Sequence, residues 1–289
     1  VTHDGQVFHS NHVILVTGHS AQDIFDCAHK SEIFMEGKSF AMGLRVEHSQ
    51  EFIDKAQYRK FFDHPKLKSA NYKLTYNTEE GIGVYSFCMC PGGFIVPAAT
   101  QQNEIVVNGM SPSKRDSPFS NSGMVVAVDE NDWKNFKQFG ALAAMEFQKS
   151  VEQKAWNIAG QTQAAPAQRM QDFVNKKTST SLLETSYQPG LVSVEMRDFL
   201  PKEIAFCLQE GFKNFGNKLR GYLTNEAQIV GVESRTSSPV KIPRDKETLE
   251  HVTAKRLFPC AEGAGYAGGI MSAAIDGERC AEMVAKLYG

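Results

Sequence analysis

The order of apolar and polar positions divides the chain into three textures. The first begins with residues 12–18, His-Val-Ile-Leu-Val-Thr-Gly, a β-branched apolar run closed by glycine. That pattern predicts a buried strand. Ser20 and Asp23, three positions apart, read as a capping box, so a helix over 21–30 follows. Upstream, Asp4-Gly5 is a hairpin-turn signal between short β-prone stretches.

From about residue 38 to 128 the texture is β-rich. Strands are predicted over 40–46, 71–76, 83–89, 93–96, 104–107 and 123–128, parted by Gly, Pro, Asn and Ser clusters. The pattern turns helical near Asp132. Residues 133–158 carry apolar positions at helical period, 167–174 a shorter helix, and 201–220 another, with Pro201 in the tolerated first turn. Residues 178–190 form a polar loop. Strand-like residues return at 228–232 and 240–242, before a glycine-rich turn and a final helix. The fold class is therefore α+β or α/β. In one economical arrangement 1–33 and 230–289 fold together, with 34–229 inserted between them.

Composition narrows the classes. The chain has 289 residues, 42% hydrophobic and 22% charged, the proportions of an ordinary globular protein. A net charge of −2 provides no footprint for nucleic acid or anionic membrane. No apolar run approaches the roughly 20 residues of a membrane span. The six cysteines (Cys27, Cys88, Cys90, Cys207, Cys260 and Cys280) are too sparse for a secreted disulfide scaffold and read as free thiols of a cytoplasmic protein. Cys27, Cys207 and Cys280 fall in helical patterns as small apolar residues. The start at Val1, without a signal-peptide pattern, leads us to expect a fragment or a processed chain.

The chemistry-bearing motif lies near the C-terminus. Gly263, Gly265 and Gly268 spell G-x-G-x-x-G ahead of helix formers, and Gly269 and Ile270 follow. A glycine-rich turn opening a helix lets backbone N–H groups approach an anion. Too little chain remains for the βαβ unit that normally follows such glycines, and Tyr288 stands where its acidic residue belongs. The plainer alternative is a tight turn that lets helix pack on sheet. On its own, Glu262 reads as an acid favoured by the helix dipole.

Several stretches together carry a resemblance. They are Val13 to Asp23 (VILVTGHSAQD), Phe40 to His48 (FAMGLRVEH), Tyr85 to Gly93 (YSFCMCPGG), Val107 to Ser111 (VNGMS), Glu233 to Val240 (ESRTSSPV), and the glycine block. The chain resembles a family of FAD-dependent dehydrogenases, also described as NAD(FAD)-utilising oxidoreductases, similar in plan to glutathione-reductase-type flavoproteins. The resemblance implies a discontinuous FAD domain. Its N-terminal βαβ is absent here, Thr17 and Gly18 end a strand passing near the cofactor, and Glu262 to Ile270 form the closing contact, with Glu262 an acceptor for ribityl hydroxyls. By that comparison the chain is the C-terminal part of a flavin-dependent oxidoreductase. The inserted 34–229 would be a substrate-side cap, and NAD(P) an electron partner. Without the ADP-binding half the chain is expected to hold FAD weakly or not at all. The substrate is an unspecified small molecule. A non-enzymatic binding domain and a flavin-linked RNA- or quinone-modifying enzyme remain alternatives.

Other residues are candidates on their own chemistry. Cys88 and Cys90 would share one face of a strand, as thiols able to exchange electrons with flavin, carry an adduct, or simply pack. No second cysteine pair completes a zinc motif, and no metal is expected. Arg45, near Glu47, and Arg235, near Thr236, sit in polar runs too dense for a simple core strand. Each guanidinium is a candidate for binding a substrate carboxylate or reduced flavin, with a surface or interdomain ion pair as the alternative. His3, His9 and His12 read as solvated. The mixed charges over 241–256 read as a solvated segment.

Overall fold

A computed structural model describes residues 4–289; His3 and the start of the predicted hairpin lie outside the described residues. In chain order the strands are β1 (Val13–Leu15), β2 (Glu36–Gly37), β3 (Phe40–Ser49), β4 (Thr75–Asn77), β5 (Gly83–Cys90), β6 (Phe94–Pro97), β7 (Val107–Met110), β8 (Phe119–Val128), β9 (Ala165–Arg169), β10 (Leu191–Ser193), β11 (Gln228–Glu233), β12 (Val240–Lys241) and β13 (Leu257–Pro259). The helices are α1 (Gln22–Lys30), α2 (Gln50–Tyr58), α3 (Ala143–Ile158), α4 (Met170–Val174), α5 (Lys202–Lys218) and α6 (Ile270–Tyr288). The fold is α+β.

The chain divides into two compact units. Unit 1 gathers residues up to 40, 129–147 and 237–289; unit 2 gathers 41–128 and 148–236. Compared with the sequence expectation, 129–147 joins the chain ends, while β11 belongs with unit 2. The reason for the second difference is pairing: β11 lies between β9 and β3.

Unit 2 is built on a seven-stranded mixed sheet in the order β10-β9-β11-β3-β8-β5-β4. β3 is central, and every residue but Ser49 is buried, Arg45, Glu47 and His48 included. Polar density therefore did not mark a surface strand. Gly43 lets β8 come close, since a Cβ there would lie 1.9 Å from the Met124 carbonyl oxygen. α5 packs across β4, β5 and β8, and Gly211 brings it onto Val84. Phe173 meets Phe212 edge-on, with ring centroids 6.0 Å apart.

Unit 1 pairs β1 with β13 in parallel and β2 with β12 antiparallel. Phe25, Met35, Leu142, Met145, Val240, Ile242 and Ala264 form one apolar cluster, closing α1 over segments far apart in sequence. A second cluster joins Phe258, Cys260, Ala261 and Cys280 beneath α6.

Several local expectations are corrected. β1 has three residues and is largely solvent-exposed, with Val13 49% accessible, so it is not a buried strand. α1 begins after Ala21 with no side-chain cap bond, so Ser20 does not cap it as expected. No strand flanks Asp4-Gly5 among the described residues. The helix expected over 133–158 breaks at Gly140, whose φ of 56° ends a 3-10 stretch before α3 starts. The helix expected over 167–174 is strand β9 followed by the short α4. Ala165–Arg169 is held extended by β10 on one side and β11 on the other, so tertiary pairing overrides local pattern. The strand expected over 104–107 begins instead at Val107. No helix among the described residues is long and apolar enough to cross a membrane.

Candidate functional site

In unit 1, β1 and β13 run parallel, so the segments beyond their carboxyl ends emerge side by side. In parallel sheets this edge is where ligands are received. One segment is Thr17-Gly18; the other runs from Cys260 through the glycine block. They meet at Gly263, where a Cβ would lie 2.0 Å from the Thr17 carbonyl oxygen and 3.1 Å from that of Gly18. His19 Nδ1 lies 3.2 Å from Glu262 Oε2 across the same junction. The structure thus brings together Thr17, Gly18, Glu262 and Gly263.

The glycines of the block have different duties. Gly263 is buried and obligatory for the chain crossing. Gly265 has φ +84°, and a Cβ there would lie 3.1–3.2 Å from Lys38, Val240 and Lys241 atoms, so its conformation and its space both favour glycine. Gly268 is exposed, and a Cβ there would touch nothing within 4 Å. Gly269 caps α6, donating its N–H to Ser272 Oγ at 3.1 Å, while that hydroxyl donates back to the Gly269 carbonyl at 2.9 Å. Ile270 is 90% exposed. Packing among the described residues explains Gly263 and Gly265 but not Gly268, whose openness suits close approach of an anionic group to the α6 N-terminus. These residues fit a dinucleotide's phosphate and ribityl portions: first-turn N–H donors, a carboxylate acceptor, and an open glycine. Lys38 adds a nearby cation; burial and Lys241 lower its pKa, while Glu262 opposes that.

Behind the turn sits a brace missed in the sequence. Arg244 donates to both Asp276 oxygens, Nη2 to Oδ1 at 2.6 Å and Nη1 to Oδ2 at 3.0 Å, and to the Pro259 carbonyl at 2.8 Å. Its guanidinium lies 4.1 Å from the Tyr266 ring centroid, and the Tyr266 hydroxyl accepts the Arg244 N–H at 2.9 Å. Asp276 also accepts the Ala261 N–H at 2.8 Å. Glu250 is likewise buried, accepting from the Tyr288 hydroxyl at 2.8 Å. Segment 241–256 is therefore solvated only in part: Asp245, Lys246, Glu247, Lys255 and Arg256 are exposed, while Arg244 and Glu250 have internal partners. Asp276 with Cys260 and Cys280 forms a cluster whose ligand atoms lie within 4.8 Å of one another. Burial pushes the Cys260 thiol up to about 12 and raises Cys280 as well, and Arg244 already neutralises the carboxylate. The arrangement is an ion pair flanked by two thiols whose pKa burial raises, and a metal there would have to displace their protons and compete with Arg244 for the carboxylate.

In unit 2 the other candidates also resolve. Arg45 is fully buried. Nε donates to Asn121 Oδ1 at 2.9 Å, Nη1 to Asn108 Oδ1 and to Glu233 Oε2 at 3.0 Å each, and Nη2 to the Cys88 carbonyl, with Cys90 Sγ at 3.9 Å. Gly109 leaves it room, since a Cβ there would lie 2.6 Å from Arg45 Cζ. Burial pushes the Glu233 carboxyl up to about 7 against the pull of Arg45. Arg235 is equally engaged: Nε and Nη2 hold Glu152, Nη2 also bonds Glu104 at 2.9 Å, and Nη1 bonds Thr100 Oγ1 at 2.6 Å. Both guanidiniums are internal supports, so neither is an open receptor for a substrate carboxylate or a surface ion pair. Asn108, Asn121, Glu104 and Glu152 were missed in the sequence; only the glycine after Asn108 hinted at close packing there.

Cys88 and Cys90 end strand β5 in a register shift against β8, between Phe87 and Cys90. Cys88 has φ 47° and is exposed; Cys90 is buried. They are not two equivalent thiols on one regular strand face.

Comparison with known proteins now gives this arrangement a context. Residues 39–236 match the family described as FAD-dependent protein, C-terminal domain-like. The chain belongs to that family. It is also 42% identical, over 279 residues, to an uncharacterized protein of Clostridium beijerinckii, covering 96% of this chain and 52% of that protein. The chain thus spans about half the length of this family relative.

Proposed function

We propose that this chain is the C-terminal part of a flavin-dependent oxidoreductase, in which unit 1 contributes the closing contact to FAD and unit 2 the substrate side. Membership of the FAD-dependent family carries the reading. Support for the cofactor contact comes from Gly268, the one glycine of the fingerprint that packing does not require. The N–H groups of the first turn of α6 would hold a phosphate, Glu262 would accept from ribityl hydroxyls, and Thr17-Gly18 would border the cofactor. When bound, the flavin supplies hydride exchange at N5, while the protein supplies placement and electrostatics. NAD(P) is the proposed electron partner and a small molecule the substrate.

The test is FAD titration of the 289-residue chain, followed by flavin fluorescence, beside absorbance of the purified Clostridium beijerinckii relative at full length. Weak binding here, abolished by Gly268→Val, and flavin bands in the relative that bleach with NADH or NADPH under anaerobic conditions, are expected. A colourless relative together with no FAD binding by the chain would overturn the flavin reading in favour of a non-enzymatic binding domain.

A further inference from the structure

We infer that Cys88 and Cys90 form a dithiol–disulfide couple that exchanges with small-molecule disulfides of the glutathione class, Cys88 attacking and Cys90 resolving. The geometry of unit 2 carries this inference independently of any flavin.

In a regular strand, residues two apart have Cα atoms about 6.6 Å apart, at the outer limit for a disulfide. Here the left-handed Cys88 kinks the strand just before Cys90. Cys90 Sγ reaches back to 3.3 Å from the Cys88 carbonyl oxygen, so the second thiol is folded towards the first residue rather than projecting along the sheet. Such a backbone conformation is costly for a side-chain-bearing residue and must be held by its surroundings.

The surroundings do hold it. Arg45 donates to the Cys88 carbonyl from one side. Gly92, at φ +50°, lies so close to Arg115 that a Cβ would fall 2.0 Å from its carbonyl oxygen. The Gly92 N–H is tied to Gln50 Oε1 at 2.6 Å. A Cβ on Gly93 would lie 2.4 Å from the Met110 carbonyl oxygen. The segment Cys88-Met-Cys-Pro-Gly-Gly93 is thus clamped by four residues, Arg45, Gln50, Met110 and Arg115.

The two thiols then have distinct access. Cys88 is exposed and can meet a reagent; Cys90 is buried, with its Sγ turned to the Cys88 carbonyl. The electrostatics point the same way. The Cys90 hydrogen bond and the nearby Arg45 charge, against opposing burial, bring the Cys88 thiol down to about 6, and Cys90 is pushed well up by that same hydrogen bond and by burial. An exposed thiolate beside a cation, with a protonated buried partner, is the asymmetry of an attacking and a resolving thiol.

The reaction balances. The Cys88 thiolate attacks one sulfur of the disulfide reagent, forming a mixed disulfide and expelling one thiolate, which takes a proton from solvent. Cys90 loses its proton, attacks the Cys88 sulfur and expels the second thiol. Two electrons pass from the cysteine pair to the reagent, which leaves as two thiols.

The test uses the intact chain with oxidised glutathione, followed by iodoacetamide and peptide mass spectrometry. The wild type is expected to lose two hydrogens from the peptide carrying both cysteines and to resist alkylation there, with dithiothreitol restoring both thiols. Cys90→Ser should stop at a glutathione adduct on Cys88, and Cys88→Ser should take no adduct at position 90. Exposed Cys27 serves as an internal control for a thiol with no resolving partner. A wild-type protein in which Cys88 stays a thiol, or stops at the glutathione adduct, overturns the inference, whatever the variants do and whether or not FAD binds.

Discussion

Gly263 and Thr17 approach so closely that a single methyl group on the glycine would overlap the threonine carbonyl, at 2.0 Å. Neither backbone can retreat without disturbing the β1–β13 pair. Gly263→Ala is therefore expected to destabilise unit 1 by about 1–3 kcal/mol, the usual cost of overpacking. Gly268→Ala, with nothing within 4 Å of its Cβ, should fall within ~0.5 kcal/mol of wild type. Urea denaturation of both variants checks the contrast; equal losses would mean that Gly268 too is a packing residue.

The Arg244–Asp276 pair should matter more than any exposed ion pair. Its side chains are only 9% and 11% accessible, and removing one partner strands the other beneath α6. Asp276→Asn is expected to cost on the order of 3–5 kcal/mol in unfolding free energy. Burial pushes the Asp276 pKa up, but Arg244 and the Ala261 N–H outweigh it and leave it lowered. Its contribution is thus present above the unfolded pKa and is lost as pH falls through the lower folded value.

Glu104 should give unit 2 a pH dependence of opposite sense. Burial and neighbouring Glu152 push its carboxyl up to about 7, Arg235 only partly opposing. One guanidinium faces two buried carboxylates, so holding a proton is favoured in the folded state. The associated stability is full below pH 4.5 and declines as pH rises through about 7. In Glu104→Gln, the fall in unfolding free energy between pH 5 and pH 8 should shrink. An unchanged fall would assign it to other groups, Glu233 first among them.

His48 predicts the reverse slope. Its Nε2 donates to the Tyr222 carbonyl at 2.9 Å, and burial, only partly offset by that bond, lowers its pKa to about 4. The neutral ring contributes fully above pH 6.5 and loses its contribution as pH falls through about 4. By NMR, His48 should show no titration between pH 5 and pH 8; a midpoint near 6.5 would contradict the burial argument.

Sequence pattern located most β-rich segments and helix α5, while the link between the Thr17-Gly18 turn and the C-terminal glycines came from the family resemblance. It missed α2, although Ser49 before a helical period was a readable cap: its hydroxyl accepts the Phe52 N–H at 3.2 Å. It misread β9, whose extended state comes from two flanking strands rather than from its own residues. The buried arginines were hidden for a related reason. Arg45 has partners at positions 88, 108, 121 and 233, and Arg244 at 259 and 276, so no local window shows that their charges are satisfied. The kink at Cys88 was equally invisible, because the neighbours that fix it come from elsewhere in the chain.

Unit 1 is drawn from three separate stretches, and Val13 faces Leu257 across its parallel pair. On a ribosome, β1 is therefore made long before β13 exists. Bringing such distant segments together carries a closure cost that grows with the logarithm of their separation, and unit 2 has all its residues by position 236. Phe25 and Met35 must wait for Val240, Ile242 and Ala264 before their cluster can close. Synthesis interrupted just after β11 would release a chain with every residue of one unit and an unfinished other. Within unit 1, the segments made earlier are left waiting for the last ones.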